Sequence, residues 1–393
     1  MSAPYAVTGG LIFDGTDFVE GQAMIVDMGR IKALLPSNKL PAGIVELDAK
    51  GMIVSPGFID LQVNGGGGVL FNNDPTVAGI RTICEAHARF GTTALMATLI
   101  TDTPEVGAAA LAAGIEAHRE AVPGFLGLHL EGPHLSVARK GTHSPSLIRP
   151  MTDEDLARLV AAAGQFGKAI TTIAPENVSP EQAARLVEAG YVVSLGHTDT
   201  KASVAAPYVD AGATMATHLF NAMSQMMNRE AGLVGVALAE GRLSCGLIAD
   251  GFHVDPTVMH VALRAKQTPG QIFLVTDAMS TIGTDQTSFE LTGRLVYRRD
   301  GRLTLADGTL AGADIDMLSS VLFVHRQLGL PLAEAINMAS LYAARAVGCT
   351  SKGKLAAGME ADFLLLETDL SLAATYIGGT CVYAPHVGGR AAL

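Results

Sequence analysis

With 393 residues, the chain is long enough for a large catalytic domain and a smaller second one. Hydrophobic residues make up 49% of the chain and charged residues only 17%, with 44 glycines and no tryptophan, which is typical of a well-buried α/β enzyme. The formal net charge of −11 argues against a nucleic-acid or anionic-membrane surface, because binding phosphate backbones requires clustered Lys and Arg.

The N-terminal sequence MSAPYAVTGG lacks the basic stretch and apolar core of a secretory signal. Apolar stretches elsewhere are interrupted before they reach the ~18 residues that a membrane span needs. We therefore predict a soluble, cytoplasmic protein without nucleic-acid or membrane partners. The four cysteines are far apart and form no CxxC pair, so we interpret them as reduced core thiols.

The two ends of the chain have the same sequence pattern. Residues 1–54 contain short β-type runs separated by Gly, Asp and Pro turn signals, and residues 353–393 contain two more such runs with glycine turns. Neither end could bury a core alone. The sequence therefore predicts one small β-domain built from both termini around a central domain.

The central segment, residues 55–352, alternates apolar strands with Ala-rich amphipathic segments. Eight such strands favour the α/β class and a (β/α)₈ barrel over an open doubly wound sheet, which would more often have a Gly-rich dinucleotide turn. The glycine run at 65–68 lacks that spacing, and we interpret it as a flexible rim loop. The predicted strands are FIDLQVNG, TTALMATLI, FLGLHLEG, AITTIAPE, YVVSLGH, TMATHLF, LSCGLIADG and IFLVTDA.

After the eighth strand, residues 288–312 interrupt the alternation. The sequence RLVYRRDGRLTL predicts a hairpin that turns at Arg299, Asp300 and Gly301. Because this insertion lies between the last strand and its helix, we expect it to cover the barrel mouth.

Three candidate metal ligands lie where apolar strands run into turns: Glu131 in HLEGPH, His197 in SLGHTDT and His218 in ATHLFNAM. A carboxylate and two imidazoles suit Zn²⁺ or a similar divalent ion and leave a position open for water. Either histidine alone would more often be a core residue. Together, about one βα repeat apart at equivalent strand ends, they predict a catalytic metal site at one rim of the barrel.

Other polar side chains accompany these ligands. Asp277 closes the eighth strand, where a buried carboxylate is costly unless it has a role, and we predict that it is a general base towards water. His129 shares a strand face with Glu131, but a satisfied interior histidine is the better interpretation. His134 has no assignment.

The loops between the strands offer substrate ligands. His143 in KGTHSP could donate, as a neutral or cationic ring, to a carbonyl oxygen. Asn221, Arg229 and His253 lie in two further loops, and an Arg and a His that converge could hold a phosphate. Each of these residues alone could equally be a solvated loop residue.

Seven motifs in this order, PGFIDLQVNG, LGLHLEGPHL, KGTHSP, LGHTDT, THLFNAM, DGFHVD and VTDAM, resemble the N-acetylglucosamine-6-phosphate deacetylase family of the amidohydrolase superfamily. The resemblance extends over essentially the whole chain. It implies a metal-dependent (β/α)₈ barrel with a small β-sandwich from both termini. It also implies hydrolysis of N-acetyl-D-glucosamine 6-phosphate to glucosamine 6-phosphate and acetate.

The resemblance implies a role for each matching residue. Glu131, His197 and His218 would hold the metal, Asp277 would be the acid and base, and His143 would polarise the acetamide carbonyl. The residues implied to contact the sugar phosphate are Asn221, Ala222, Arg229, His253, Leu310 and Ala311, the last two through backbone. The family also implies a homodimer in which Arg229 reaches the neighbouring active site.

One departure from the superfamily concerns the metal. Many amidohydrolases begin the barrel with His-x-His and hold a second ion, whereas this chain has Gln62 and Asn64 at those positions. Neutral amides are poor Zn²⁺ ligands. We therefore predict one divalent ion per subunit, with Zn²⁺ favoured and Fe²⁺, Co²⁺ and Mn²⁺ as alternatives.

Two competing interpretations remain. A cyclic-amide hydrolase or deaminase of the same superfamily usually needs His-x-His and often a bridging lysine carboxylate, which the sequence does not support. A non-catalytic scaffold should have lost its ligands, whereas Glu131, His197, His218 and Asp277 are all present. The sequence leaves open the physiological metal, the pathway, and whether N-acetylgalactosamine or unphosphorylated sugars are accepted.

Overall fold

The structure is a computed structural model that describes residues 3–385, so residues 386–393 of the predicted C-terminal range lie outside the described residues. Seven strands precede the barrel, together with a short 3₁₀ turn at Ser37–Lys39. They are β1 Tyr5–Thr8, β2 Leu11–Phe13, β3 Phe18–Val19, β4 Gln22–Asp27, β5 Arg30–Pro36, β6 Val45–Asp48 and β7 Ile53–Pro56.

The central segment contains eight parallel strands in one sheet, and every predicted strand is present. In spatial order they follow the chain, which confirms the (β/α)₈ barrel. The elements from β8 to β17 are β8 Phe58–Val63, β9 Gly65–Gly66, β10 Val69–Leu70, α1 Val77–Ala88, β11 Thr92–Ile100, α2 Pro104–Arg119, β12 Phe125–Glu131, α3 Asp153–Ala162, β13 Lys168–Ile173, α4 Pro180–Glu188, β14 Val192–Leu195, α5 Ala202–Asp210, β15 Met215–Ala216, α6 Gly232–Ala239, β16 Ser244–Leu247, α7 Pro256–Ala265 and β17 Ile272–Leu274.

Local sequence signals explain where several barrel helices begin. Thr152 and Asp155 form a capping box at the start of α3, and Ser179 and Gln182 form another at α4. In each box two backbone N–H groups without a helical partner are satisfied by side chains. Among the described residues, no helix combines the length and the apolar character that crossing a membrane requires.

The barrel closes where the first strand meets the segment after the last. Strands β8 and β17 do not pair with each other directly, and the residues that follow β17 contact β8 instead. The amide of Asp277 donates to the carbonyl oxygen of Gln62 at 2.9 Å, and the amide of Asn64 donates to the carbonyl oxygen of Ala278 at 2.9 Å. These two bonds place Asp277 beside the residues that replace the His-x-His pair.

A buried carboxylate, that of Asp60, reinforces the contact between β8 and the residues that follow β17. Asp60 accepts hydrogen bonds from the hydroxyl of Thr276 at 2.5 Å and from its amide at 3.2 Å. Burial raises the pKa of Asp60 to about 7, although the bonds from Thr276 and Gln62 oppose that shift. The side chain of Asp60 thus ties the first barrel strand to the segment that carries Asp277.

The insertion after β17 forms a four-stranded antiparallel sheet. The predicted hairpin is present between β19 and β20, where Asp300 and Gly301 have left-handed φ values of 50° and 71° at the turn. Residues of the last insertion strand reach the barrel mouth. The remaining elements are β18 Ser288–Leu291, β19 Arg294–Arg299, β20 Arg302–Thr304, β21 Leu310–Ala313, α8 Met317–Arg326, α9 Leu332–Met338, α10 Leu341–Ala346, β22 Phe363–Leu366, β23 Leu372–Ile377 and β24 Thr380–Tyr383.

The glycine run at 65–68 is not the free loop that we predicted. Gly65 and Gly66 form β9, which pairs with β10 in a small antiparallel ladder. A Cβ atom on Gly65 would lie 2.4 Å from the carbonyl oxygen of Val69, and one on Gly66 would lie 2.9 Å from the ring of His87. Close packing, rather than freedom to move, explains these two glycines.

The small domain consists of two sheets with the orders β5-β4-β1-β6 and β24-β23-β22-β7-β2-β3. In the second sheet, β7 pairs in parallel with β2 and antiparallel with β22, so both termini contribute, as predicted. The apolar faces meet in one core, in which the rings of Phe363 and Tyr376 stack at 4.3 Å. The domain boundaries themselves, after residue 54 and before residue 353, stay a prediction.

A mostly buried cation at the boundary between the central segment and the C-terminal segment gives a test of this domain. The side chain of Lys352 is only 12% exposed, and its Nζ contacts the carboxylates of Glu360 and Asp362. We expect Lys352→Met to lower the free energy of unfolding by about 3–5 kcal/mol, because it leaves two carboxylates without their cation. The measurement is urea denaturation followed by circular dichroism, since the chain has no tryptophan. Lys354→Met at an exposed position is the matched control, and equal stability of the two variants would contradict the expectation.

Candidate active site and metal centre

The candidate ligands lie at the carboxyl ends of barrel strands. Glu131 is the last residue of β12, whereas His197, His218 and Asp277 follow β14, β15 and β17. The last three have left-handed φ values of 46°, 28° and 52°. This conformation is unfavourable for residues other than glycine and persists only where the surrounding structure imposes it. The backbone is therefore strained at three points of one rim.

Asp277 shows how that conformation is imposed. Its amide donates to the carbonyl oxygen of Gln62, and its own carbonyl oxygen accepts from the amide of Ala313 at 2.9 Å. The residue is thus fixed between the first barrel strand and the end of the insertion. Its side chain lines the cavity at the barrel mouth.

This cavity is open to solvent and has a volume of about 240 Å³, close to the lower end of the range of small-molecule sites. The insertion closes one side through Thr309, Leu310 and Gly312. Nine of the eleven predicted site residues line it: Glu131, His143, His197, His218, Asn221, Ala222, His253, Asp277 and Leu310.

The other two predicted residues are placed elsewhere. Arg229 is exposed and does not line the cavity of its own chain. The side chain of Ala311 is fully buried in the apolar core of the insertion, so that only its backbone could face a substrate. Sequence order alone could not distinguish these residues from their neighbours.

Glu131, His197 and His218 form a tight triangle. Glu131 Oε1 lies 3.1 Å from His197 Nε2 and 3.0 Å from His218 Nε2, and the two Nε2 atoms lie 3.0 Å apart. With metal–ligand bonds of ~2.0–2.2 Å, ligand atoms at tetrahedral angles are about 3.4 Å apart. The three atoms are therefore spaced almost as they would be around one small cation.

Hydrogen positions support the same interpretation. His197 Nδ1 lies 2.9 Å from the carbonyl oxygen of Arg139, which can only accept, so Nδ1 carries the proton. In the neutral ring, Nε2 then has a lone pair that faces the carboxylate of Glu131. Two acceptors at this distance repel each other unless a cation lies between them. A ligating histidine that donates its other N–H to a carbonyl is the usual arrangement at metal sites.

His143 competes with His218 as the second histidine ligand, because ligand atoms of Glu131, His143 and His197 lie within 4.8 Å of one another. The hydrogen bonds decide against it. The amide of Thr101 donates to His143 Nδ1 at 3.3 Å, so Nδ1 is an acceptor and the proton of the neutral ring is on Nε2. That proton would have to leave before Nε2 could bind a metal. His218, at shorter distances, is the better ligand, although its buried Nδ1 has no partner among the described residues.

Gln62 and Asn64, which occupy the positions of the His-x-His pair of many amidohydrolases, donate hydrogen bonds to two carboxylates. Gln62 Nε2 lies 3.2 Å from one oxygen of Glu131 and 3.3 Å from Asp277 Oδ1. Asn64 Nδ2 lies 2.6 Å from the same oxygen of Asp277. Amide hydrogens thus separate two carboxylates that would otherwise repel each other. This arrangement fits a single ion at Glu131, His197 and His218.

The surroundings of Asp277 and of His143 shift the pKa values of these two side chains in opposite directions. Burial, and then the negative charge of Glu131, raises the pKa of Asp277, which favours a carboxylate that takes up a proton readily. Burial, and then the neighbouring ring of His197, lowers the pKa of His143 to about 3. The ring of His143 therefore stays neutral and can donate only through Nε2.

One functional contact was missed in the sequence. Asp250 Oδ2 lies 2.6 Å from His253 Nδ1, and both side chains are buried. The carboxylate also accepts from the amides of Phe252 and His253 at 2.8 Å. Asp250 thus fixes the orientation of the His253 ring at the cavity. The three-residue spacing in DGFHVD was the only available signal.

His129 and His134 have structural partners. His129 has Nδ1 3.0 Å from the carbonyl oxygen of Leu61 and Nε2 2.7 Å from the hydroxyl of Thr172. Both ring nitrogens are therefore satisfied by the barrel interior. His134 Nδ1 lies 3.0 Å from the carbonyl oxygen of Arg149.

The sequence matches known proteins along most of its length. Residues 53–391 match the Amidohydrolase family, and residues 4–54 match the NagA composite domain. The N-acetylgalactosamine-6-phosphate deacetylase of Shewanella sp. (strain ANA-3) is 43% identical over 83% of this chain and 82% of its own length. The N-acetylglucosamine-6-phosphate deacetylase of Haemophilus influenzae is 35% identical over 95% and 98%.

Solved structures agree with the sequence matches. The N-acetylglucosamine-6-phosphate deacetylase from Pasteurella multocida superposes with a TM-score of 0.92 at 35% identity, over 96% of this chain and 99% of that one. A mutant of the Mycobacterium smegmatis deacetylase, in complex with N-acetyl-D-glucosamine-6-phosphate, gives 0.90 at 30% identity, over 98% and 100%. The barrel and these matches together show that the chain belongs to the Amidohydrolase family.

Proposed function

We propose that the protein hydrolyses the acetamide of N-acetyl-D-glucosamine 6-phosphate to D-glucosamine 6-phosphate and acetate. The observation that carries the proposal is the triangle of Glu131, His197 and His218 with Asp277 in the same cavity. Relatives named for this activity are similar over nearly the whole chain. This arrangement suits hydrolysis of a linear amide.

Each residue of the rim has a proposed task. Glu131, His197 and His218 would hold one divalent ion, with Zn²⁺ favoured, and the ion would supply Lewis acidity and make water more acidic. Asp277 accepts the proton of the attacking water and later gives it to the departing amine. His143 donates its Nε2 hydrogen to the amide oxygen as negative charge develops there.

The rest of the cavity binds the sugar phosphate. Asn221, Ala222, His253 and Leu310 line it, and Ala311 would contribute through its backbone. Arg229, which does not line its own cavity, completes the phosphate site of a neighbouring subunit in a homodimer. We further propose a role in amino-sugar metabolism in the cytoplasm.

The main alternative within this function is a substrate that differs in the orientation of one sugar hydroxyl. The relative at 43% identity acts, by its name, on N-acetylgalactosamine 6-phosphate, which differs from the glucosamine substrate only at C4. The same acetamide chemistry would serve either sugar. N-acetylgalactosamine 6-phosphate is therefore the second candidate substrate.

An acetate-release assay distinguishes these possibilities. The substrates are N-acetylglucosamine, its 6-phosphate and N-acetylgalactosamine 6-phosphate, each with enzyme that has been chelated and then restored with Zn²⁺. We expect activity only with the 6-phosphates and only after metal is restored, with the higher kcat/KM on the glucosamine epimer. A higher kcat/KM on the galactosamine epimer would favour the second candidate. No acetate from either phosphate would refute both.

A further inference from the structure

Thr101, which follows the last residue of β11, contacts the Nδ1 atom of His143. Thr101 is 1% exposed, and both its amide and its hydroxyl contact Nδ1 of His143, at 3.3 and 2.8 Å. The hydroxyl has no other hydrogen-bond partner among the described residues. Among the described residues, the hydroxyl of Thr101 therefore bonds only to His143, which lines the cavity.

These two contacts determine where the proton of His143 resides. A backbone amide can only donate, so Nδ1 must be an acceptor, and the hydroxyl of Thr101 must then donate as well. The neutral ring consequently carries its hydrogen on Nε2. If the hydrogen moved to Nδ1, it would face the amide donor of Thr101, and Nε2 would present a lone pair to the substrate.

Two further contacts restrict the orientation of the His143 ring. It meets the ring of His197 edge to face, with centroids 4.4 Å apart. The preceding residue, Thr142, is held by a hydrogen bond from the guanidinium of Arg294 in the insertion to its carbonyl oxygen. The orientation of the ring is thus determined by its surroundings, while Thr101 determines which nitrogen carries the hydrogen.

We propose that Thr101 is a positioning residue for amide hydrolysis, which selects the Nε2–H tautomer of His143 so that this ring can donate to the acetamide oxygen. The inference rests on the proposed function. The donated bond strengthens as charge develops on that oxygen, so that it acts in the transition state more than in substrate binding. Thr101 acts through His143 and does not itself contact the substrate.

The test compares Thr101→Val with Thr101→Ser. We expect Thr101→Val to lower kcat by ~10–100-fold, by analogy with the loss of the hydrogen-bond partner of a metal-ligating histidine, with little change in KM. Thr101→Ser keeps the hydroxyl and should restore most of the activity. Thr93→Val is the matched control, because Thr93 is equally buried in β11 and its hydroxyl bonds to the carbonyl oxygen of Phe58.

A double-mutant cycle separates positioning from a general structural effect. If Thr101 acts through His143, the pair Thr101→Val and His143→Gln should be no slower than His143→Gln alone. Long-range ¹H–¹⁵N spectra of histidine-labelled protein, assigned with His143→Gln, should show the Nε2–H tautomer in the wild type and a smaller share of that tautomer in Thr101→Val, which keeps only the longer bond from the Thr101 amide.

The failure of this inference differs from the failure of the proposed function. Wild-type enzyme that releases no acetate refutes the function. Active wild type with Thr101→Val within twofold of its kcat, or with additive losses in the double mutant, overturns the role of Thr101 and leaves the function standing.

Discussion

Asp277→Asn should reduce kcat by ~10²-fold or more while the enzyme keeps its full metal content. The substitution removes the carboxylate that we propose accepts the proton of water, and such a proton transfer is typically worth ~10²–10⁴-fold. It leaves Glu131, His197 and His218 unchanged. The measurements are steady-state acetate release and metal analysis of the same preparation.

The matched control is Asp316→Asn. Asp316 is half-buried, and it caps α8 by accepting from the amide of Ser319 at 2.8 Å, a role that asparagine fills about equally well. This variant should resemble the wild type. Wild-type turnover by a fully metallated Asp277→Asn protein would show that another group moves the proton.

Glu131→Gln should lose both the metal and the activity. The carboxylate oxygen lies within 3.1 Å of both histidine nitrogens, and a neutral amide of the same shape is a poor ligand. Since loss of a residue that merely orients a ligand lowers metal affinity by ~10–100-fold, we expect a larger effect from loss of the ligand itself. Metal content per subunit should fall well below that of the wild type, and kcat with it.

Glu181→Gln provides the comparison for this variant, because Glu181 is exposed in the first turn of α4. It should retain metal and activity. If Glu131→Gln instead kept its metal through dialysis, His143 or Asp277 would have to be a ligand in its place. A ligand role for His143 would in turn contradict the tautomer assigned to it.

The barrel could be predicted because its strands have a distinctive sequence pattern. Parallel strands are covered by helices on the outside and by side chains within, so they appear as continuous apolar runs. Both β11 and β8 are buried at every position. The polar residues that end such runs then lie at one rim by topology alone. This is why the sequence alone groups Glu131, His197, His218 and Asp277 at one rim.

The contacts that tune the site could not be predicted, because they join residues distant in the sequence. The pairing of Thr101 with His143 spans 42 positions, and that of Gln62 with Asp277 spans 215. Nothing local to either residue indicates its partner. The prediction for the glycine run at 65–68 was wrong for a related reason, since its packing against His87 is a tertiary contact.

Glu131, His197 and His218 are proposed to hold one ion within reach of Asp277. Anomalous diffraction at the zinc edge, from crystals of the metal-restored enzyme, tests this proposal most directly. We expect a single peak per subunit, within bonding distance of Glu131 and of the Nε2 atoms of both histidines. No peak at this position, a second peak beside Gln62 and Asn64, or a peak bound by His143 would contradict it.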